Sequence, residues 1–452
     1  MGVRGDLQER KIRLGICVLR HVVAPCQEEE TIVWDKTQHN RNPRNINLRT
    51  SCRPHPGGRK TGRIIIVQHA CRIELSESAL RRNLRFLRRQ IGTGVRLVSV
   101  VKANAYGHGL DVFVPLAENC GQREFAVFSA TEAAAVIAAR THPDTRVMIM
   151  GHIENGDLDW AIANDVAFYV FNLHRLDGAL RAAQRVGRPA RIHLELETGL
   201  HRTGFTTRTL PAALKRIAAA PDLLRVEGVC THFAGAESLA NHYRIRRQIE
   251  TFASLTGVMQ GHAVPLGARH SACSAAALNY PETRMDLVRI GIAQYGFWPS
   301  QESRMEFLRR HDLRRNTSPL ERILSWKSRV MDLKSVPAGE YVGYGNLYLT
   351  TRRQRLAAVP TGYHHGFART LSNLGHVLIR GHRCPVAGVV NMNMLTADVT
   401  DAPGVAIGDE VVLIGTQGRQ EVTVGAFGEM ARDLNYEVLV RLPAEIPRIV
   451  VA

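Results

Sequence analysis

The feature that most constrains this chain is an alternation. Eight short, largely apolar runs are separated by stretches rich in Ala, Leu and Arg: VRLVSVVKAN (95–104), FAVFS (125–129), RVMIM (146–150), VAFYV (166–170), RIHLELE (191–197), RVEGVCTHF (225–233), RHSACS (269–274) and DLVRIGI (286–292). Helical patterns such as ATEAAAVIAAR (130–140) and NHYRIRRQIETFASLT (241–256) fill the gaps. Eight strand–helix units in about 240 residues is the arithmetic of a closed (β/α)8 barrel. A doubly wound open sheet is the alternative, but it wants a Gly-rich fingerprint after its first strand. No G-x-G-x-x-G stands there.

Past about residue 315 the text switches. RLAAVPTGY, HVLIRG, CPVAGVVNMNML, DEVVLIG and EVTVGAF read as strands divided by turn residues, with little helix between them. The expectation is an α/β chain: a TIM-type barrel over residues 71–312, then an all-β domain over 313–452. Residues 1–70 show no sustained periodicity and collect Arg, Asn, Pro and Gly. They read as a basic, flexible extension, or as the product of a start placed too early. Their apolar piece LGICVLRHVVAPC is broken by Arg20 and His21, so it makes a poor signal-peptide core.

Charge bears on partners. Lys and Arg number 59 against 41 Asp and Glu, a net +18. The first 70 residues hold 13 cations and 6 anions, and the remaining excess is spread over helix faces such as Arg81, Arg82, Arg85, Arg88 and Arg89. Nucleic-acid binders concentrate charge and interleave aromatics; aromatics are only 6% here. No nucleic-acid partner is expected. No run of 18 apolar residues exists, so no membrane partner is expected either. Eight scattered cysteines without a C-x-x-C pair suit a reducing, cytoplasmic setting and give no metal site.

In such barrels the active site lies at the C-terminal ends of the strands. Those ends carry Lys102, Tyr106, His201, Arg202, His232, His270, Ser274 and Arg289. A lysine ending an apolar strand is costly in its charged form unless paired or covalently used; it can equally snorkel to solvent at the mouth. Ser274 and the Arg-Ile-Gly-Ile turn fit the phosphate site that barrels build from their last loops. A lysine with a phosphate site points to pyridoxal phosphate held as a Schiff base, although a phosphosugar barrel would show the phosphate site too.

VVKANAYGHG (100–109) resembles the cofactor-lysine signature of the alanine racemase family at ten consecutive positions. ETGLHRTGF (197–205), GVCTHFAGAES (228–238), HSACSAA (270–276), VRIGIAQYG (288–296), PAGEYVGYGNLY (337–348), VPTGYHHGF (359–367) and LNYEVLVRL (434–442) follow in the family's order. The resemblance spans about residues 71–450 and implies a barrel followed by a β-domain. It also implies a homodimer with shared active sites and pyridoxal 5'-phosphate as cofactor. The implied activity is interconversion of L- and D-alanine by two bases, supplying D-alanine for peptidoglycan.

The resemblance also implies roles. Lys102 would carry the cofactor and act as one acid/base. Tyr344 would be the opposite base, reaching in from the other subunit. Tyr106, Ser274, Tyr436 and the backbone at Gly291 and Ile292 would cradle the phosphate. Arg289, supported by His270, would donate to the pyridine nitrogen, and His232 would lie beside the ring. Arg202 would contact the cofactor and the substrate carboxylate, with the Met392 backbone helping from the other subunit. Two bases on opposite faces of Cα are what racemisation requires. A tyrosine base wants cationic neighbours, because its unperturbed pKa is near 10; Arg289 and His232 are the candidates.

Taken alone, Tyr344 reads more readily as a packing tyrosine and His232 as a core histidine. His364 and His365 give only a weak metal signal, and Glu132 and Glu237 read as helix starts. Two positions depart from the common family pattern. Glu195 stands where many members hold a carbamylated lysine, and it is expected to pair with Arg202 directly or through water. Asn393 replaces an aspartate at the substrate entrance, which keeps a broader amino-acid racemase open as an alternative. A non-catalytic cofactor-binding barrel, from another functional class, would be expected to lack Tyr344 and the second domain.

Overall fold

The protein is described from a computed structural model covering residue 69 and residues 71–452, apart from 263, 313–317, 432 and 433. The expected extension over residues 1–70 thus lies, His69 excepted, outside the described residues.

The first strand, β1 (Arg72–Ser76), is followed by β2 (Arg96–Val100), β3 (Glu124–Val127), β4 (Arg146–Ile149), β5 (Ala167–Val170), β6 (Ala190–Glu195), β7 (Leu224–Cys230), β8 (Ala268–His270) and β9 (Leu287–Ile290). Strands β2 to β9 are the eight expected runs. They pair in parallel around a ring in the order β8-β7-β6-β5-β4-β3-β2-β9. A Cys273–Arg289 bridge, with Arg289 N–H donating to Ala272 O at 2.9 Å, joins β8 to β9 and closes it. Three of the helices between these strands start at a small polar residue that caps them. Ser76 accepts from Ala79 N, Ser129 from Glu132 N and Asn172 from Arg175 N, satisfying N–H groups that have no partner inside the helix.

The second domain holds β10 (Leu324–Arg329), β11 (Asp332–Val336), β12 (Gln354–Val359), β13 (His376–Ile379), β14 (His382–Pro385), β15 (Leu395–Asp398), β16 (Glu410–Gln417), β17 (Gln420–Val422) and β18 (Arg448–Val451). One sheet runs β14-β13-β16-β10-β1-β18 with β17 on β16; the other is β11-β12-β15. Residues 72–76, placed by the sequence reading at the head of the barrel, are therefore a central strand of the second domain. β1 lies antiparallel to β10 and parallel to β18, with Ile73 and Leu75 wholly buried. The alternation of RIELS seats one face in that core and turns Arg72 and Glu74 toward Lys327 and Glu410. EVTVGAF also divides: β17 ends at Val422, and a helix runs over Val424–Ala431. The Thr423 hydroxyl accepts from Ala426 N at 2.9 Å, the kind of cap that turns a β-branched run into a helix start.

Candidate active site

β2 ends in the segment that carries Lys102. Ala103, Asn104, Ala105 and Tyr106 all have φ near +53°, one turn of left-handed helix in L-residues. Each such residue costs roughly 1–2 kcal/mol, so the turn must be held from outside. Glu132 holds its start, accepting from Ala103 N with one oxygen and from Phe128 N with the other, both at 2.7 Å. The Asn104 side chain accepts from Leu110 N at 2.8 Å. Arg448 donates to Gly107 O at 2.8 Å. Leu439 O packs so closely that a Cβ on Gly107 would meet it at 1.8 Å, and with φ +77° only glycine fits. Glu132 thus does more than start a helix: it fixes the backbone beside the lysine. Burial, then the charge of Arg202, lowers the pKa of the Lys102 amine, with Glu132 opposing.

Around this lysine the barrel assembles the expected residues. The Ser274 hydroxyl accepts from Gly291 N at 3.0 Å and Ala293 N at 3.4 Å. Gly291 leaves room for Tyr106, whose hydroxyl would lie 2.5 Å from a Cβ there. Ile292 opens the buried turn that follows. The Tyr106 ring packs on Tyr295 at 5.0 Å and on Tyr436 at 6.1 Å, the latter reaching in from the helix Asn435–Val440. Serine hydroxyl, tyrosine hydroxyls and turn N–H groups at one rim form a cradle with the chemistry of a phosphate site.

Arg289 is only 4% exposed. Its Nη1 donates to His270 Nδ1 at 2.6 Å and His270 O at 2.8 Å; its Nη2 donates to Thr231 O at 2.7 Å and Ser271 O at 3.2 Å. Four of its five N–H groups are thereby used, and Nε–H alone lacks an acceptor among the described residues. One fixed donor at this mouth is what a pyridine nitrogen would accept from. His232 follows β7. Burial, then Arg289, Arg202 and Lys102, push its pKa down to about 3. It is neutral near pH 7, and of the two cations expected beside a tyrosine base only Arg289 keeps its charge.

Glu195 and Arg202 do not meet as expected. The Glu195 carboxylate, 5% exposed, accepts from Thr203 Oγ1 at 2.7 Å, and no ion pair joins it to Arg202 among the described residues. The loop turns Thr203 inward and leaves Arg202 exposed at the mouth, its N–H donating to Glu197 Oε2 at 3.3 Å. Burial raises the pKa of the Glu195 carboxyl, with the charges of Arg202 and Arg289 opposing.

Tyr344 and Met392 lie elsewhere, on loops of the second domain, 75% and 57% exposed. Met392 O accepts from His364 N at 2.9 Å, which gives that histidine's backbone a structural part. Among the described residues no group of His, Cys, Asp and Glu could hold a metal ion. No helix of the described residues is long and apolar enough to cross a membrane.

Residues 75–299 match the family profile "Alanine racemase, N-terminal domain" and residues 323–450 match "Alanine racemase, C-terminal domain". The alanine racemase of Symbiobacterium thermophilum is 35% identical over 375 residues, spanning 83% of this chain and 95% of that protein. The crystal structure of alanine racemase from Streptomyces lavendulae superposes with a TM-score of 0.77 at 31% identity, covering 86% of this chain and 98% of that one. That from Bartonella henselae, solved with covalently bound pyridoxal phosphate, superposes at 0.73 with 22% identity, covering 85% and 100%. A closed barrel, a following β-domain, profiles matched over both and a relative 35% identical over most of both chains place this chain in the alanine racemase family.

Proposed function

We propose that this protein interconverts L- and D-alanine, using pyridoxal 5'-phosphate carried on Lys102, in a homodimer whose second chain contributes Tyr344. The observation that carries this is the shared mouth. The depressed Lys102 amine, the Ser274–Gly291–Tyr106 cradle and Arg289 stand at the same ends of the barrel strands, and Lys102, Arg202 and Arg289 all act on the one buried ring of His232. When bound, the cofactor would supply the electron withdrawal that acidifies Cα–H.

The chain's own groups do the rest. Lys102 holds or releases a proton at Nζ on one face; burial favours its neutral, basic form. Arg202 offers a cation to the substrate carboxylate. Arg289 cannot deprotonate, so it would hold a pyridine nitrogen as a hydrogen-bond donor without transferring its proton to it. The opposite face wants a second acid/base, and Tyr344 with Met392 would supply that side from another copy.

The dimer has physical support. Tyr341, Tyr344, Leu347, Leu349, Met392 and Met394 are all exposed. A Tyr341–Leu349 bridge and the bond from His364 N to Met392 O tie these loops down. Large apolar groups presented together in this way favour a protein partner. The D-alanine formed would serve peptidoglycan synthesis. The test is racemisation by the purified, cofactor-loaded chain against a panel of L-amino acids, alanine included, with absorbance followed for the lysine-bound cofactor. Alanine should be turned over fastest; no turnover of any amino acid by loaded protein would end this reading.

A further inference from the structure

A buried chain of hydrogen bonds continues behind Arg289. His270 Nδ1 faces Arg289 Nη1 at 2.6 Å, and His270 Nε2 faces His193 Nδ1 at 2.9 Å. The two rings meet edge to face at 5.0 Å. Arginine has only donors. His270 must therefore present a bare Nδ1 to it, which places the His270 proton on Nε2. That N–H points at His193 Nδ1, which must be bare in turn, leaving the His193 proton on Nε2. Any other arrangement sets two N–H groups or two lone pairs against each other inside the barrel. An additional proton on either ring would break the chain.

Two features of the wall let His193 reach that place. β6 and β8 are not neighbours, since β7 runs between them. The pairing of β6 with β7 slips between Ile192 and His193, so that Glu227 is left without an opposite residue. Such a bulge re-aims the side chain beside it. The next residue of β7 is Gly228, where a Cβ would come within 2.5 Å of His193 Nδ1. The gap in β7 opens directly onto the bonded nitrogen.

We propose that His193 is a positioning residue for the reaction: through His270 it holds the Arg289 guanidinium in the orientation that leaves Nε–H toward the mouth. The bulge at Glu227 and the bare Gly228 are the devices that aim it. Burial agrees, keeping both rings neutral: the pKa of His193 is lowered to about 4 and that of His270 well below the usual value. The groups facing His193 are Glu227, which favours its charged form, and Arg191, Arg96 and Arg289, which oppose it. The inference rests on the role given to Arg289 above, so its test has one arm that is independent of activity.

In the first arm, the full-length, cofactor-loaded protein is labelled with 15N-histidine, and long-range 1H–15N correlations are recorded near neutral pH. His193→Gln and His270→Gln assign the two signals among the 19 histidines. Both rings should carry their proton on Nε2; a protonated Nδ1 on either overturns the proposal, whatever the enzyme's activity. In the second arm, His193→Leu and Gly228→Ala should shift the absorbance of the bound cofactor and lower kcat about tenfold, as expected for an unsatisfied buried donor. KM and cofactor content should stay close to wild type, and His193→Gln, which keeps an acceptor, should recover most of kcat. A soluble His193→Leu protein with wild-type spectrum and kcat overturns the proposal, as does a His193→Gln protein no better than His193→Leu. Loss of all turnover in the wild type with both tautomers as assigned would instead strike the functional reading alone.

Discussion

The mouth of the barrel and the loops of the second domain are built on opposite plans. At the mouth most of the polar groups are tied into the same chain: Arg289 uses four N–H groups on protein, and Ser274 receives two backbone N–H groups. On the loops, Tyr344 stands 75% exposed, as do Tyr341, Leu347, Leu349 and Met392 to a lesser degree, with little cover from the other described residues. Preorganisation is strongest where packing and second partners lock each rotamer. If the site is shared between two chains, as proposed, one of its faces is already built within a single chain and the other depends on the partner's loops.

The sharpest way to break this contrast is at the finished face. Lys102→Ala should lose the absorbance of lysine-bound cofactor and at least about a thousandfold in kcat, since it removes both the attachment and one acid/base. Retention of a substantial part of either would place the chemistry elsewhere. At the open face, Tyr344→Phe should cost about 100- to 10,000-fold in kcat. It should also unbalance solvent-deuterium incorporation between the two directions, because one face of Cα keeps its base. Unfolding and co-refolding equal amounts of Lys102→Ala and Tyr344→Phe chains sharpens the point. Random pairing into dimers would restore about a quarter of wild-type activity if each site draws on both chains. No recovery would show that the two residues do not share a site across the interface.

The finished face should also show itself in acid. His232 and His108 have folded pKa values lowered to about 3 and His193 to about 4, against about 6.5 unfolded. The unfolded chain binds more protons between those values, so this stabilisation is complete above about pH 6.5 and is lost as pH falls toward 3. Each histidine contributes up to about 1.4 kcal/mol per pH unit in that window. Urea midpoints measured from pH 7.5 to 5 should fall steadily below 6.5; a flat profile would mean that these histidines are not held neutral. Smaller still is the effect at Glu195, whose partner is Thr203 and not a cation. Glu195→Gln should lower kcat/KM about tenfold or less, without any dependence on added bicarbonate, and unchanged kinetics would make it a packing residue. Deleting residues 1–70 should change neither activity nor dimerisation, a result that activity at equal cofactor content and size-exclusion chromatography can check.

All eight barrel strands were legible in the sequence, and the reason is local. Parallel strands covered on both faces read as short apolar runs, and small polar caps such as Ser129 and Asn172 mark where some of the helices begin. What escaped depends on distant partners. RIELS declares neither domain, since its neighbours in the sheet begin some 250 and 370 residues later. His193 lies within the run RIHLELE, but nothing in that run points to His270, which it meets because Gly228 leaves the wall between them open. Arg202 and Glu195 are close in sequence, and the loop between them turns Thr203 inward instead. The alternation of strand and helix placed the polar residues at the strand ends and was silent on which of them touch.

The left-handed turn after Lys102 has a consequence for the life of the chain. Its geometry is costly, and one of its clamps, Arg448, lies 346 residues further on, while the sheet that anchors Arg448 joins the first described strand to the last. At roughly 5–20 residues per second, about 20–70 s of synthesis separate the lysine from that clamp. A nascent chain arrested before Arg448 should therefore take up cofactor poorly, and efficient uptake at that stage would show that the turn stands without its clamp. Lys102 emerges early in synthesis, but the turn beside it can gain its Arg448 clamp only when the last strand is in place, so the two halves of that conformation are separated by most of the chain.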